Sequence, residues 1–123
     1  MAVLVLGERP YAEGAGDRED LSLEAGDVAA LHKLEDSGVP VVVVLLSGRP
    51  MIMNDVLSKC EALVAAWLPG TEGQGVTDVL FGDFKPTGRL SCSWPRSMSQ
   101  VPAPPGKAAK DPLFALGFGL TFA

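Results

Sequence analysis

Cysteine, histidine and tyrosine are scarce in the 123 residues, at two, one and one, and each scarcity removes a class of chemistry. Cys60 and Cys92 stand in no metal-ligand spacing, and with the single His32 they supply no clustered donor set, so no metal or other cofactor is expected. Two thiols say little about redox compartment; Cys60 falls in an apolar segment where a reduced thiol behaves as a small hydrophobe. Basic residues number only ten against fifteen acidic and are scattered singly, which argues against a nucleic-acid partner. The longest strongly apolar run, "VPVVVVLL", is far short of a membrane span, and "MAVLVL" carries no basic leader or cleavage site. No membrane partner is expected and no targeting signal is visible.

Familiar fingerprints are missing too. "GTEGQG" (70–75) puts glycines before a helical stretch, but its spacing fits neither dinucleotide nor P-loop patterns and it has no lysine. A tight turn is the simpler reading. Ser47 in "LSGRP" lacks the nucleophile-elbow pattern, and His32 lies in the middle of a predicted helix, as a partly exposed residue and not a base. A flavodoxin-like ligand-binding domain would rest on fold analogy alone.

What remains is an ordinary globular composition, 47% apolar and 20% charged, at about the length of one domain. Val3 to Leu6 reads as a strand buried on both faces. From Ser22, a possible N-cap, "LEAGDVAALHKLEDSG" sets Val28, Leu31 and Leu34 at helical spacing and ends at Gly38. "VPVVVVLL" shows no alternation, as expected of a central parallel strand covered on both sides. "NDVLSK" predicts a short helix capped by Asn54, "CEALVAAW" a third buried strand, and "GQGVTDVLFG" a helix through Val76, Val79 and Leu80 bounded by glycines. "GRLSCSW" alternates weakly and suggests a last, half-exposed strand.

The expected fold class is therefore α/β: an open, mostly parallel sheet flanked by helices, in Rossmann-like layers, with an irregular C-terminal tail. Residues 1–95 form the α/β domain. Residues 96–123 form a Pro/Gly-rich tail that packs on it through Phe114, Leu116, Phe118 and Phe122. Sheets of this kind present their working loops at the carboxyl ends of the strands, and there the first strand opens into "GERPYAEGAGDRED". Glu8, Glu13, Asp17, Glu19 and Asp20 crowd that loop. From composition alone a solvated loop is the simpler reading. Neighbouring carboxylates or partial burial also raise a carboxyl toward the pKa of a general acid, and the glycines allow close approach to a sugar. A glycosidase needs two carboxyl groups across the scissile bond, so the residues by themselves reach no further than half a site.

The wording of the sequence adds more. "GERPYAEGAGD", "VVVLLSGRPM", "ALVAAWLPGTEGQGVTDVLFGDFKPTGRLSCSWPRS" and "DPLFALGFGLTF" occur in this order, at spacings that resemble the C-terminal part of glycoside hydrolase family 3. The likeness is closest to the branch of exo-acting β-glucan glucohydrolases and β-glucosidases, and it covers essentially the whole chain. It implies a partial α/β sandwich that, in the family, faces an N-terminal β/α barrel carrying the nucleophilic aspartate. On this resemblance Glu13 matches the general acid/base, while Glu8 and Asp17 take supporting parts. Downstream of Asp17 the family pattern runs Asn-Leu-x-Leu, whereas this chain has "REDLSL". No segment resembles the barrel, so the resemblance implies a fragment with no nucleophile of its own, inactive alone, whose parent cleaves β-glucosides or β-glucan oligosaccharides. Family members are often periplasmic or secreted. The rival expectation is a non-catalytic scaffold that forms homo-oligomers through an open sheet edge.

Overall fold

The computed structural model describes residues 1–102 and 109–121, and all of Glu13 except its side chain. Residues divide into two compact units, Met1–Leu68 and Pro69–Ala123.

The first unit is built on three parallel strands, β1 (Ala2–Gly7), β2 (Val41–Leu46) and β3 (Ala62–Trp67), in the order β1-β2-β3. The register runs from Ala2 opposite Val41 to Gly7 opposite Leu46, and β2 pairs with β3 from Val42 opposite Ala62. The uninterrupted Val/Leu run takes the central place. Val41, Val43, Val44 and Leu45 are all buried, each worth about 1.5–3 kcal/mol for a fully buried aliphatic side chain. Leu6, Leu21, Leu31, Met51, Met53 and Val56 are buried with them.

The flanking strands are less enclosed than a continuous apolar run predicts. β1 is not buried on both faces: Val3 and Val5 are 46% and 56% exposed, whereas Leu6 is buried. It stands at one edge of the sheet, with helix α1 (Ala25–Asp36) against it, so its alternate side chains meet different surroundings. β3, at the other edge, is half-buried from Leu63 to Trp67 and exposed at Ala62. It begins two residues later than expected, because the Lys59 N–H closes a turn onto the Val56 carbonyl and leaves Cys60 half-buried outside the strand. Its last pairing slips by a residue, Leu45 facing Ala65 but Leu46 facing Trp67, and Trp67 has a φ of 56°.

Two predicted caps are corrected. The N-cap of α1 is Glu24 and not Ser22, since Ser22 sits in an isolated parallel bridge with Ile52 and its N–H donates to Asp20 Oδ1 at 2.9 Å. The single turn α2 (Asn54–Leu57) starts from Met53, whose carbonyl accepts the Val56 and Leu57 N–H groups. Asn54 is thus the first helical residue.

In the second unit, α3 (Gly73–Phe81) forms where the periodicity placed it and ends at Gly82, whose φ of 89° suits a residue with no Cβ. "GRLSCSW" does not make a strand. Its backbone groups pair instead with the tail: Leu90 with Phe118 and Gly117, and Trp94 with Phe114 and Leu113, of which only Trp94 to Phe114 is a bridge. Trp94 is buried edge-on to Phe114 (78°), and Phe114 stacks on Phe118 at 4.7 Å. Leu116 and Phe118 are both exposed, at 43% and 40%, so neither is the buried anchor expected; Phe122 lies outside the described residues, as do 103–108.

Candidate active site

Parallel pairing brings the carboxyl ends of β1 and β2 side by side, and the polypeptide leaving them places Glu8 next to the turn after β2. The Glu8 N–H donates to the Leu46 carbonyl at 3.0 Å, prolonging the ladder by one residue. That extra bond points the Glu8 side chain into a cage. It is only 3% exposed, and it accepts from Arg49 Nε (3.2 Å to Oε1), Arg18 Nη1 (3.4 Å) and the Tyr11 hydroxyl (3.2 Å). A carboxylate this enclosed is tolerable only because charge and hydrogen bonds meet both oxygens.

Arg49 does more than neutralise Glu8. Its Nη2 donates to the Gly16 carbonyl at 2.6 Å, its Nε also reaches the Tyr11 hydroxyl at 3.2 Å, and its guanidinium lies 4.4 Å from the centre of the Tyr11 ring. Burial works against its charge, but the charge of Glu8 and the Tyr11 hydroxyl more than offset this, and the pKa of Arg49 is raised. Arg18 closes the cage from the other side and donates to the Ser22 carbonyl at 3.3 Å.

The packing leaves no room for larger residues. A Cβ on Gly16 would fall within the Tyr11 ring, and one on Gly48 would come within 2.5 Å of the Tyr11 hydroxyl. Both glycines are thus required by close approach. Ser47 is buried and its Oγ donates to the Arg49 carbonyl at 2.7 Å, a structural task that accounts for the serine without nucleophilic chemistry.

Of the predicted residues, Glu8, Glu13 and Asp17 do belong to one loop. Glu13 opens a 3-10 turn, Glu13–Gly16, which the Asp17 N–H closes onto the Gly14 carbonyl at 3.2 Å. The Glu13 side chain lies outside the described atoms. Asp17 and Glu19 are exposed. Asp20 is exposed as well, and the Ser22 amide hydrogen bond holds its carboxyl below the ordinary range. An open depression of about 270 Å³ borders the loop, lined by Glu8, Tyr11, Ala15, Gly16, Arg18 and Glu24 among others.

Sequence reasoning missed Arg49, Tyr11 and Arg18. The available signal was "SGRP": an arginine just beyond a central strand, at the end of the sheet where an acidic loop must also lie. A second depression, also about 270 Å³, lies at the amino ends of β2 and β3 beside Glu35, Lys59 and Cys60. There Lys59 and Glu35 form an ion pair at 2.6 Å, and burial, followed by the charge of Glu61, raises the Cys60 thiol. His32 is half-exposed and faces Glu35 at 3.6 Å, one turn along α1. Among the described residues no group of three or more His, Cys, Asp or Glu is placed to hold a metal ion.

Comparison with known proteins places this geometry in context. The sequence profile of the Glycosyl hydrolase family 3 C-terminal domain matches residues 1–122. A lysosomal beta glucosidase of Dictyostelium discoideum is 36% identical over 99% of the chain, which spans 16% of that protein. A beta-xylosidase of Formosa agariphila is 36% identical over 98% of the chain, spanning 19% of it. Among solved structures, an exo-1,3/1,4-beta-glucanase from a Pseudoalteromonas species superposes with a TM-score of 0.89 at 47% identity, covering 97% of this chain and 21% of that one. The chain thus spans about a fifth or less of the proteins it resembles.

Proposed function

The chain belongs to the glycoside hydrolase family 3 C-terminal domain family, and from that premise we propose that it supplies the general acid/base, Glu13, of a retaining exo-acting β-glucosidase or β-glucan glucohydrolase. Named relatives that act on β-glucosides, β-glucans and β-xylosides support a β-linked glycoside as the substrate class. In the retaining reaction one carboxylate attacks the anomeric carbon while a carboxylic acid about 5–5.5 Å away protonates the leaving oxygen. The same group then takes a proton from water, which attacks the anomeric carbon and releases the sugar. This chain carries the second role; the nucleophile belongs to polypeptide outside it, and the chain alone hydrolyses nothing. On the same reading residues 1–95 are part of the sandwich and 96–123 its tail.

The observation that carries the assignment is the state of Glu8. Of the two glutamates in "GERPYAEG", Glu8 is 3% exposed and its oxygens are taken up by two arginines and a tyrosine, which suits a structural anchor and not a group that must reach the leaving oxygen of a substrate. That leaves Glu13, on the 3-10 turn of the same loop. Asp17 supports the turn through its backbone bond to Gly14.

The test is a chimera in which this chain replaces the corresponding segment of the 47% identical exo-glucanase. Glu13→Gln should lower turnover of unactivated β-glucosides by about 100-fold or more, and azide should partly restore turnover of an activated aryl β-glucoside. Unchanged turnover removes Glu13 from the role. Robust hydrolysis by the 123-residue chain alone, abolished by Glu13→Gln, overturns the division between two polypeptide regions.

A second reading, self-association through the sheet, is favoured by the exposure of Val3 and Val5 on β1, at the edge of the described sheet. Light scattering on dilute protein separates it from a monomer.

A further inference from the structure

We propose that Arg49 is a positioning residue for catalysis: its guanidinium clamps the backbone of the 3-10 turn that begins at Glu13 and thereby sets where that glutamate stands. This rests on the acid/base reading above. The clamp is a chain of short contacts running from the sheet to the turn. The Ser47 N–H donates to the Trp67 carbonyl of β3 at 3.1 Å, and Ser47 Oγ donates to the Arg49 carbonyl at 2.7 Å, so the backbone of Arg49 is fixed to the ends of two strands. From there its side chain reaches across 33 positions of sequence to the Gly16 carbonyl at 2.6 Å.

Three contacts, from two residues, hold the fork in that orientation. Glu8 takes Nε at 3.2 Å, the Tyr11 hydroxyl takes it at 3.2 Å, and the Tyr11 ring supports the guanidinium face at 4.4 Å. Tyr11 in turn lies against Gly16 and Gly48, where an added Cβ would come within 2.1 Å of its ring and 2.5 Å of its hydroxyl. A planar group with several donors can satisfy a carboxylate, a hydroxyl and a carbonyl together; a lysine ammonium at the end of a flexible stem cannot hold that plane. Gly16 closes the turn that Glu13 opens, so a displacement at its carbonyl is passed through three peptide units to the acid/base position. A misplacement of about 1 Å is enough to cost about 100-fold in rate.

An arginine that serves folding alone would change how much protein folds, and not the rate per folded active site. In the chimera, active sites are counted by trapping with a 2-fluoro glycoside, and Arg49→Ala is expected to lower kcat per site for an unactivated β-glucoside by roughly 30- to 100-fold. KM should stay within about threefold, because the clamp touches no substrate. The distinguishing readout is azide. It attacks the anomeric carbon of the glycosyl-enzyme, forming a C–N bond as the ester C–O bond breaks and returns its electron pair to the enzyme carboxylate. No proton has to be removed from the nucleophile. A misplaced base should therefore be bypassed, with azide accelerating Arg49→Ala on an activated aryl β-glucoside. Arg49→Lys should show a smaller loss and a smaller azide effect, and it stands in if the alanine variant fails to fold.

Loss of azide response in Glu13→Gln defeats the acid/base assignment. A response in Glu13→Gln with none in either Arg49 variant, or kcat per site within twofold of the parent, defeats the clamp. The clamp is also tested without catalysis, on the 123-residue chain. Arg49→Ala should raise hydrogen exchange at the Asp17 amide, which bonds Gly14, by at least tenfold more than at amides of β2. Equal changes in both places overturn it.

Discussion

Replacing Glu8 by glutamine keeps its size and removes its charge. In the folded protein the amide would bring two N–H donors into a cage already occupied by the donors of Arg49 and Arg18. Two of the charge-assisted hydrogen bonds described above weaken or are lost, at about 1.5–3 kcal/mol for such bonds. Breaking a fully buried ion pair costs about 3–5 kcal/mol, but the Arg49 and Arg18 side chains retain 24% and 35% exposure, so water repays part of the loss. A destabilisation of about 2–3 kcal/mol follows.

Unfolding entropy near 2.1 cal/mol/K per residue over 123 residues converts this to a fall in Tm of roughly 8–12 °C if the chain unfolds as one. The fall is larger if Met1–Leu68 melts separately. Urea denaturation followed by far-UV circular dichroism gives the free energy, and thermal melts give the shift. The exposed pair of Arg9 and Glu24, with side chains 85% and 48% exposed, is an internal control: Glu24→Gln should cost less than about 1 kcal/mol. Adding Arg49→Met to Glu8→Gln should cost less than the sum of the two single changes, since an orphaned charge is then removed. If Glu8→Gln unfolds within about 0.5 kcal/mol of the parent, the range of an ordinary surface substitution, Glu8 is not the anchored anion described.

Gly16→Ala forces a methyl group into the Tyr11 ring and should destabilise by about 1–3 kcal/mol, the range for overpacking. Gly14→Ala, with open space at its Cβ, should cost little more than a few tenths, about the size of a surface change; equal losses by urea denaturation at the two positions would contradict the packing around Tyr11. Burial, followed by the charge of Glu61, raises the thiol of Cys60, so the midpoint of its alkylation rate against pH should lie above that of the same thiol in the urea-denatured chain. Stability associated with the protonated thiol is fully present below the unfolded pKa and is lost as pH rises through the folded one. Cys60→Ser should flatten the alkaline side of a denaturation profile, between the unfolded and the raised folded pKa of the thiol. A midpoint at or below that of the denatured chain contradicts the burial of the sulfur.

The order of strands and helices was readable along the chain because each element reports its surroundings at short range. The Val/Leu run of β2 needs no partner to show that both faces will be covered, and Val79 and Leu80 follow Val76 by one turn in α3. Where the period was weak the reading failed. "GRLSCSW" has backbone groups satisfied by residues 113–118, and nothing local in it shows that the tail, not a sheet, will be its neighbour. Ser22 has the chemistry of a cap, but Ile52, far away in sequence, takes it into a bridge instead.

The sequence alone established a parallel α/β sheet with an acidic, glycine-rich loop at the carboxyl end of its first strand, because hydrophobic period and turn residues are local properties. It placed Glu8 and Glu13 in that loop but did not show which partners would hold Glu8. Tertiary structure decided that by bringing Arg49, 41 residues beyond Glu8, against its carboxylate. Polar pairs of that kind follow strand register and side-chain reach across the fold, and they leave no periodic trace in the chain.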